Sequence, residues 1–337
     1  MEAVALPRRR RRRLDLLEQR RFLGPALIAP AVIFIVALVG APLLLAIYLS
    51  FTNAHSGSLS GDFVGFANYA QEWRNPVFQD ALRNTVLYTV ASQIIVLIGA
   101  GLLAHALIKP FRGRWFLRLL VLLPWAAPVA LGTIGFLWIF DALFSVVNWT
   151  TVHDLMPGGG ELYLYKIVNF VFARDFWPGF IQIGAIDPLS PPQWLGQTEL
   201  AKAAIIGVHS WRILPFATVI FIAGIASIPT EVQDAAKIDG ATGLKKFFYV
   251  SLPLQLPIAT VALLFGIVFT ATDMAVVYIL THGGPFNSTH MLTTWAFDTG
   301  INSASLGPGA AISLYLLPVL AAVAILMLRF ARRAEVS

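Results

Sequence analysis

The chain has 337 residues, of which 57% are hydrophobic and 12% charged, with a net charge of +6 at pH 7. A soluble domain carries about 25% charged residues, so this composition excludes an ordinary soluble fold. It contains no cysteine, which excludes disulfides, thiolate chemistry and cysteine-based metal sites.

A helix needs about 20 apolar residues to cross about 30 Å of hydrocarbon. Six runs meet that length, at about 23–51, 81–108, 115–140, 200–227, 254–280 and 309–330. They hold Pro25, Pro30, Pro42, Pro124, Pro128, Pro215 and Pro318, which membrane helices accept where neighbours re-satisfy the freed backbone groups. The expected class is therefore an all-α integral membrane protein with six transmembrane helices. The run at 23–51 exceeds a signal-peptide h-region and lacks a small-residue cleavage site, so it reads as a retained first span.

Before the first span stands a basic tail, 1–22, with arginines at every position from 8 to 13. With six spans, that tail shares a side with Lys109, Arg112, Arg114 and Arg118, with Lys237, Lys245 and Lys246, and with Arg329, Arg332 and Arg333. Together with Arg20 and Arg21 these make 18 of the 24 lysines and arginines. The positive-inside rule then places both termini in the cytoplasm, and it reads the arginine run as topogenic and not as a nucleic-acid patch.

The two outer connections are unequal. The first, 52–77, is polar and rich in Gly, Ser and Asn. The second, 141–199, exceeds what a bilayer hairpin needs; it holds the break Pro157-Gly158-Gly159-Gly160, an amphipathic stretch at 161–177 with Leu162, Tyr165, Val168 and Phe172 at helical spacing, and a Pro-rich stretch at 188–192. It reads equally as an interfacial helix or as a contact surface for an outer partner.

The inner loop at 229–257 is more structured than a connector requires. Thr230 with Gln233 fits a capping box, and Glu231 and Asp234 place negative charge in the first turn, where the helix dipole favours it. Val232, Ala235 and Ala236 give a small, smooth face. Asp239-Gly240 ends the helix, with Gly240 suited to the left-handed C′ position. A second short helix at about 244–250 puts Leu244, Phe247 and Phe248 on one side, and Leu252-Pro253 and Pro257 redirect the chain into the membrane. Such a hairpin reads as a docking surface, against the plainer alternative of a loop folded on its own bundle.

Polar groups within spans are costly and therefore candidate functional groups. In the fourth span His209, Ile213 and Phe216 fall on one face, beside Trp211 and Arg212; in the fifth, Thr270, Thr272 and Asp273 form a polar patch. Planar polar groups suit sugar hydroxyls and aromatic faces suit sugar C–H surfaces. The structural alternatives are an Arg212–Asp273 pair inside the bundle, threonines bonded to their own helix, and His209 as an interhelical donor. Asn84 and Gln93 fit helix–helix contacts. His105, His282 and His290 form no metal-ligand set.

The hairpin resembles the signature loop of permease subunits of bacterial ATP-binding-cassette importers, matched here by Asp234-Ala235-Ala236, Asp239-Gly240-Ala241, Phe247 and Leu252-Pro253. Asp234 stands where that family has Glu, one methylene longer. Residues 278–285 with Thr289, together with Gln193-Trp194-Leu195 and 223–229, are similar to the carbohydrate-importer permeases, nearest the first permease of the maltose, trehalose and glycerol-phosphate systems. The likeness covers nearly the whole chain from Leu23, although 141–199 is longer than is usual there. It implies a type I permease fold over 23–337 with the hairpin as cytoplasmic coupling helix, and import of a disaccharide or short oligosaccharide across a prokaryotic cell membrane by alternating access.

The resemblance also implies a division of labour. Its partners would be a second permease, two cytoplasmic ATPases and an outer solute-binding lipoprotein, with ATP and Mg held by the ATPases. No G-x-x-x-x-G-K-[ST] loop occurs here, so this chain has no phosphate cradle of that type and is expected to bind no cofactor and catalyse no reaction. Aligned through the motifs, His209, Ile213, Phe216, Thr270 and Asp273 fall where maltose-type permeases place their sugar contacts. A sugar phosphate such as glycerol 3-phosphate is the alternative that Arg212 favours. An ion-coupled transporter would use Asp273 but gives no reason for the hairpin, and a membrane-embedded enzyme would need clustered acids or histidines that the spans lack.

Overall fold

The computed structural model describes residues 20–58, 61–141, 145, 192–241, 245 and 247–336. Their secondary structure is helical throughout, apart from two isolated bridges, Thr52–Phe63 and His55–Ser58. Helix α1 (Arg20–Ile35) passes through a π-helical turn, Val36–Gly40, into α2 (Ala41–Ser50), giving one apolar segment of spanning length. Short α3 (Ala67–Arg74) follows, then α4 (Pro76–Ile108). Asn75 accepts the Val77 N–H at 3.0 Å and Pro76 opens the helix, so α4 starts five residues before the apolar run because its cap and first-turn proline fix it there.

The third span is not straight. Helices α5 (Arg114–Ala126) and α6 (Val129–Ile139) meet at 96°. Pro128 offers no N–H, and steric crowding by its ring holds Ala127 in extended backbone, φ −69°, ψ 141°. By contrast Pro25, Pro30, Pro124, Pro215, Pro257 and Pro318 lie inside continuous helices.

Helix α7 (Thr198–Ala226) leads to the hairpin helix α8 (Thr230–Ile238). Within the expected second hairpin helix at 244–250 the described residues are all helical: Lys245 is α-helical and a π-helical turn, Phe247–Ser251, runs straight into α9 (Leu252–Ala271). Leu252 and Pro253 thus form the first turn of the span, and the helix continues through Pro257. The fifth span is also interrupted: α9 ends at Ala271 and α10 (Ala275–Leu280) restarts after Thr272-Asp273-Met274. Helix α11 (Leu292–Phe297), a π-helical turn (Asp298–Asn302) and α12 (Leu306–Val336) complete the chain. The arginines at 8–13, the amphipathic stretch at 161–177 and the proline-rich stretch up to 191 lie outside the described residues.

Helix α7 is the central element. Fifty-six per cent of its apolar window is buried, against 6% for the first span, so α7 is core and α1–α2 is periphery. It packs along α4 and against α9 and α5. Small side chains allow the approach: Ala100, Ala104, Ala217 and Ala262 share one buried cluster with Val96, Ile213, Phe221 and Ile225. Gly266 on α9 lies so close to the Gln93 side chain of α4 that any Cβ there would overlap it.

At the end of the bundle opposite the hairpin, polar ties hold the connections down. Asn84 Nδ2 donates to the Ser288 and His290 carbonyls at 2.7 and 3.0 Å, the helix–loop form of the contact expected of it. Tyr315 Oη donates to the Tyr69 carbonyl, strapping α3 to α12, and Trp295 Nε1 donates to Glu72 Oε2 at 3.1 Å. Burial pushes the Glu72 carboxyl above its ordinary 4.5, and the bonds from Trp295 and Asn75 draw it partly back.

Candidate functional site

Two regions carry the chemistry that the sequence singled out. The first is the α8 hairpin. Its helix begins at Thr230, the residue read as its cap, and ends as the sequence requires: Gly240 has φ +74°. The Asp239 N–H donates to the Ala235 carbonyl and the Ala241 N–H to the Ala236 carbonyl, both within 2.9 Å. This is the left-handed closure that glycine makes accessible. Glu231, Val232, Asp234, Ala235, Asp239 and Gly240 are exposed, whereas Ala236 and Ala241 are buried. Ala236 therefore seats the helix and does not belong to its outward face. Exposed Ile238 and Tyr249 enlarge that face; neither stood out in the sequence, because an isolated apolar residue beside membrane spans carries no contrast. The side chains of Gln233, Phe247 and Phe248 lie outside the described residues.

The second region lies between α7 and the broken fifth span. Arg212 on α7 forms an ion pair with Asp273. Four residues on, Phe216 meets Phe269, four residues before Asp273, with ring centroids 5.8 Å apart. The two contacts run in opposite senses, as consecutive spans require. Asp273 has two further duties: its Oδ1 accepts the Val276 N–H at 3.0 Å, capping α10, and its carbonyl accepts from Thr293 Oγ1 at 3.1 Å. The pairing weighed from the sequence is thus present, and Asp273 also holds the break together.

An aromatic cluster lies one helical turn from this pair. Trp125 stacks on Phe216 at 4.8 Å, and Phe265 closes the same cluster from α9. Beyond the Pro128 bend, Phe136 meets Trp211 edge-on at 4.8 Å, so the bent third span grips α7 from two sides. Phe265, Phe269 and Trp125 were not singled out from the sequence, since aromatics are frequent in spans and no local pattern marks which of them meet.

The other candidates separate. Ile213 is buried in the α4–α7 apolar cluster and is a packing residue. Thr270 is fully buried, its hydroxyl accepting from Gln93 Nε2 at 3.2 Å. Thr272 bonds back to the Val268 carbonyl. His209 is fully buried and neither ring nitrogen has a hydrogen-bond partner among the described residues, an arrangement that native cores rarely leave without a ligand or water. His290 is buried against Trp295 with Nδ1 3.1 Å from Thr294 Oγ1; burial lowers its pKa while Asp298 opposes the shift. Among the described residues no three His, Cys, Asp or Glu side chains gather as a metal set.

Residues 97–336 match the family described as binding-protein-dependent transport system inner membrane component. The chain belongs to this family. It is 30% identical over 316 residues to the sulfoquinovosyl glycerol transport system permease protein SmoG of Agrobacterium fabrum, covering 93% of this chain and 91% of that protein. It is 26% identical to the trehalose/maltose transport system permease protein MalF of Thermococcus litoralis, covering 92% and 94%. A solved bacterial ABC transporter involved in the import of the acidic polysaccharide alginate shares the fold, with a TM-score of 0.67 at 18% identity over 95% of this chain and 99% of that one. The protein is thus a multi-pass membrane permease component of the binding-protein-dependent, ABC-importer kind, with the type I all-helical fold. Both regions lie within the matched residues.

Proposed function

We propose that this permease carries a sugar, a disaccharide or short oligosaccharide, into the cytoplasm by alternating access, and that α8 couples it to an ATPase. The observation that carries the coupling is the hairpin: a helix closed at its C-terminus around Gly240 and seated by buried Ala236, with Glu231, Asp234 and Asp239 exposed. Its termini and hairpin face the cytoplasm by the basic-residue count. Two ATPase subunits would supply ATP and Mg there, a homologous second permease would complete the passage, and a solute-binding protein would deliver sugar from outside. One solved relative is a complex with an alginate pentasaccharide-bound periplasmic protein, which supports that last expectation.

The solute contacts are proposed on the α7–α9 wall, with Phe216 as the aromatic plate, Arg212 and Asp273 at its edge, and His209, fully buried, as an unsatisfied hydrogen-bonding group behind it that a movement of α7 would have to uncover. Ile213 and Thr270 shape the wall from within the packing. The names of the relatives, for a sulfoquinovosyl glycerol, trehalose or maltose, and sn-glycerol 3-phosphate, support a glycoside or polyol cargo. Ion coupling through Asp273 is disfavoured, because that carboxylate is bound to Arg212 and to the Val276 N–H and is not a lone titrating acid.

Replacing Asp234 with Trp, or Gly240 with Val, is expected to abolish ATP-dependent uptake in reconstituted vesicles while the chain still inserts and assembles with its spans intact. Normal uptake in either variant would sink the coupling role.

A further inference from the structure

We infer that Asp273 is the charge-selectivity residue of this passage: by holding Arg212 in an ion pair it makes the wall electroneutral and tunes it to uncharged glycans over acidic ones. The inference rests on the reading that the α7–α9 wall contacts the solute. Among the described polar groups of that wall Arg212 is the only cation, and unpaired it would attract any carboxylate, sulfonate or phosphate entering from either side. The structure shows it paired. Asp273 is in turn fixed from behind by the Val276 N–H and by the peptide that Thr293 binds, so the carboxylate does not swing away to release the guanidinium. The Arg212 side chain keeps 16% of its surface and that of Asp273 only 4%. Arg212 is therefore the more accessible member of the pair, and an acidic solute would have to compete with a covalently tethered anion already in contact.

What surrounds the pair suits a neutral ring. Phe216, stacked on Trp125 and partly exposed, offers an apolar plate to sugar C–H groups, while His209 is fully buried behind it. The other basic residue of α7, Lys202, is itself paired, with Glu199 in the same helix at 3.4 Å.

The test is solute binding to the complete solubilised transporter without its outer binding protein, so that selection by that partner does not enter. The probes are neutral mono-, di- and oligosaccharides matched with carboxylated, sulfonated and phosphorylated counterparts. The wild-type complex is expected to bind neutral members at least tenfold tighter than acidic ones. Asp273→Asn keeps an oxygen to cap the Val276 N–H, so the break survives, but it unmasks Arg212; the neutral-to-acidic affinity ratio should fall at least tenfold. Adding Arg212→Gln to Asp273→Asn should restore neutral preference. A wild-type complex that binds acidic members as tightly as neutral ones overturns the inference, as does an unchanged ratio in Asp273→Asn. Phe216→Ala separates the two levels. If it weakens binding while Asp273→Asn leaves the ratio unmoved, the wall stands and only the charge role fails; if neither variant changes any affinity, the wall is not the solute site and both fall.

Discussion

The α8 hairpin and the break in the fifth span both interrupt an apolar chain with polar residues, and they dispose of those residues in opposite ways. In the hairpin the backbone closes on itself around Gly240, and the acidic side chains Glu231, Asp234 and Asp239 stand exposed. In the break the acid is consumed: Asp273 takes a backbone N–H with one oxygen and the Arg212 guanidinium with the other. Water makes an exposed carboxylate cheap, whereas within the bilayer every polar group needs an internal partner. The hairpin therefore presents its charge outward, while the break spends its charge on architecture before any solute arrives.

The sharpest way to break that contrast is to remove one member of the buried pair. Arg212→Ala leaves the Asp273 carboxylate without its counter-charge, at an expected cost of about 3–5 kcal/mol, read as a much lower unfolding temperature in detergent. Arg212→Met combined with Asp273→Asn should recover most of the loss; a double variant no more stable than the single would contradict the pairing argument. Gly266→Leu forces a side chain into the space of Gln93 and should cost about 1–3 kcal/mol, with relief on adding Gln93→Ala if the α4–α9 approach is the cause.

Gly240→Val works on the other side of the comparison. Its positive φ makes a β-branched residue unfavourable by about 1–2 kcal/mol, but the strain falls on the hairpin alone. Unfolding temperature should hardly move while uptake is lost, a dissociation that a purely structural hairpin would not show.

The smallest effect is expected at Glu72, which has a folded-state pKa raised above 4.5 by burial. A raised carboxyl favours the protonated form in the folded state, so its contribution is complete below about pH 4.5 and declines as pH rises through the folded value. Glu72→Gln keeps an acceptor for Trp295 without that decline. The stability difference between variant and wild type should therefore shift in favour of the variant as pH rises, measured by thermal unfolding across pH 4 to 8; a flat difference removes Glu72 as the cause.

How much of this was legible in the sequence depended on how local the physics was. The six spans follow from length and apolarity, and the Gly240 closure from a φ that few other residues adopt. The 96° bend at Ala127-Pro128 was not legible, because Pro25, Pro30, Pro215 and Pro318 have the same chemistry and lie in continuous helices. Whether a proline bends a helix is decided by what packs beside it, here Trp125 on Phe216 and Phe136 on Trp211. Ile213 shared a helical face with His209 and Phe216, yet a face broad enough for three residues also reaches the α4 interface, and packing claimed Ile213 for the core. Thr270 was visible as polar and Gln93 as an amide; that they bond to each other is a pairing across 177 residues that no local pattern encodes.

The placement of the first span has a consequence for how the protein is made. Helix α2 packs against α12, the Tyr315 hydroxyl holds α3 through the Tyr69 carbonyl, and the Gly307 N–H closes on the Ala54 carbonyl. The seat of the first span is thus built from the sixth, which is synthesised only after the four spans between them. Until α12 enters the bilayer, α1–α2 lacks the surface it packs on, so docking of the first span follows insertion of the sixth.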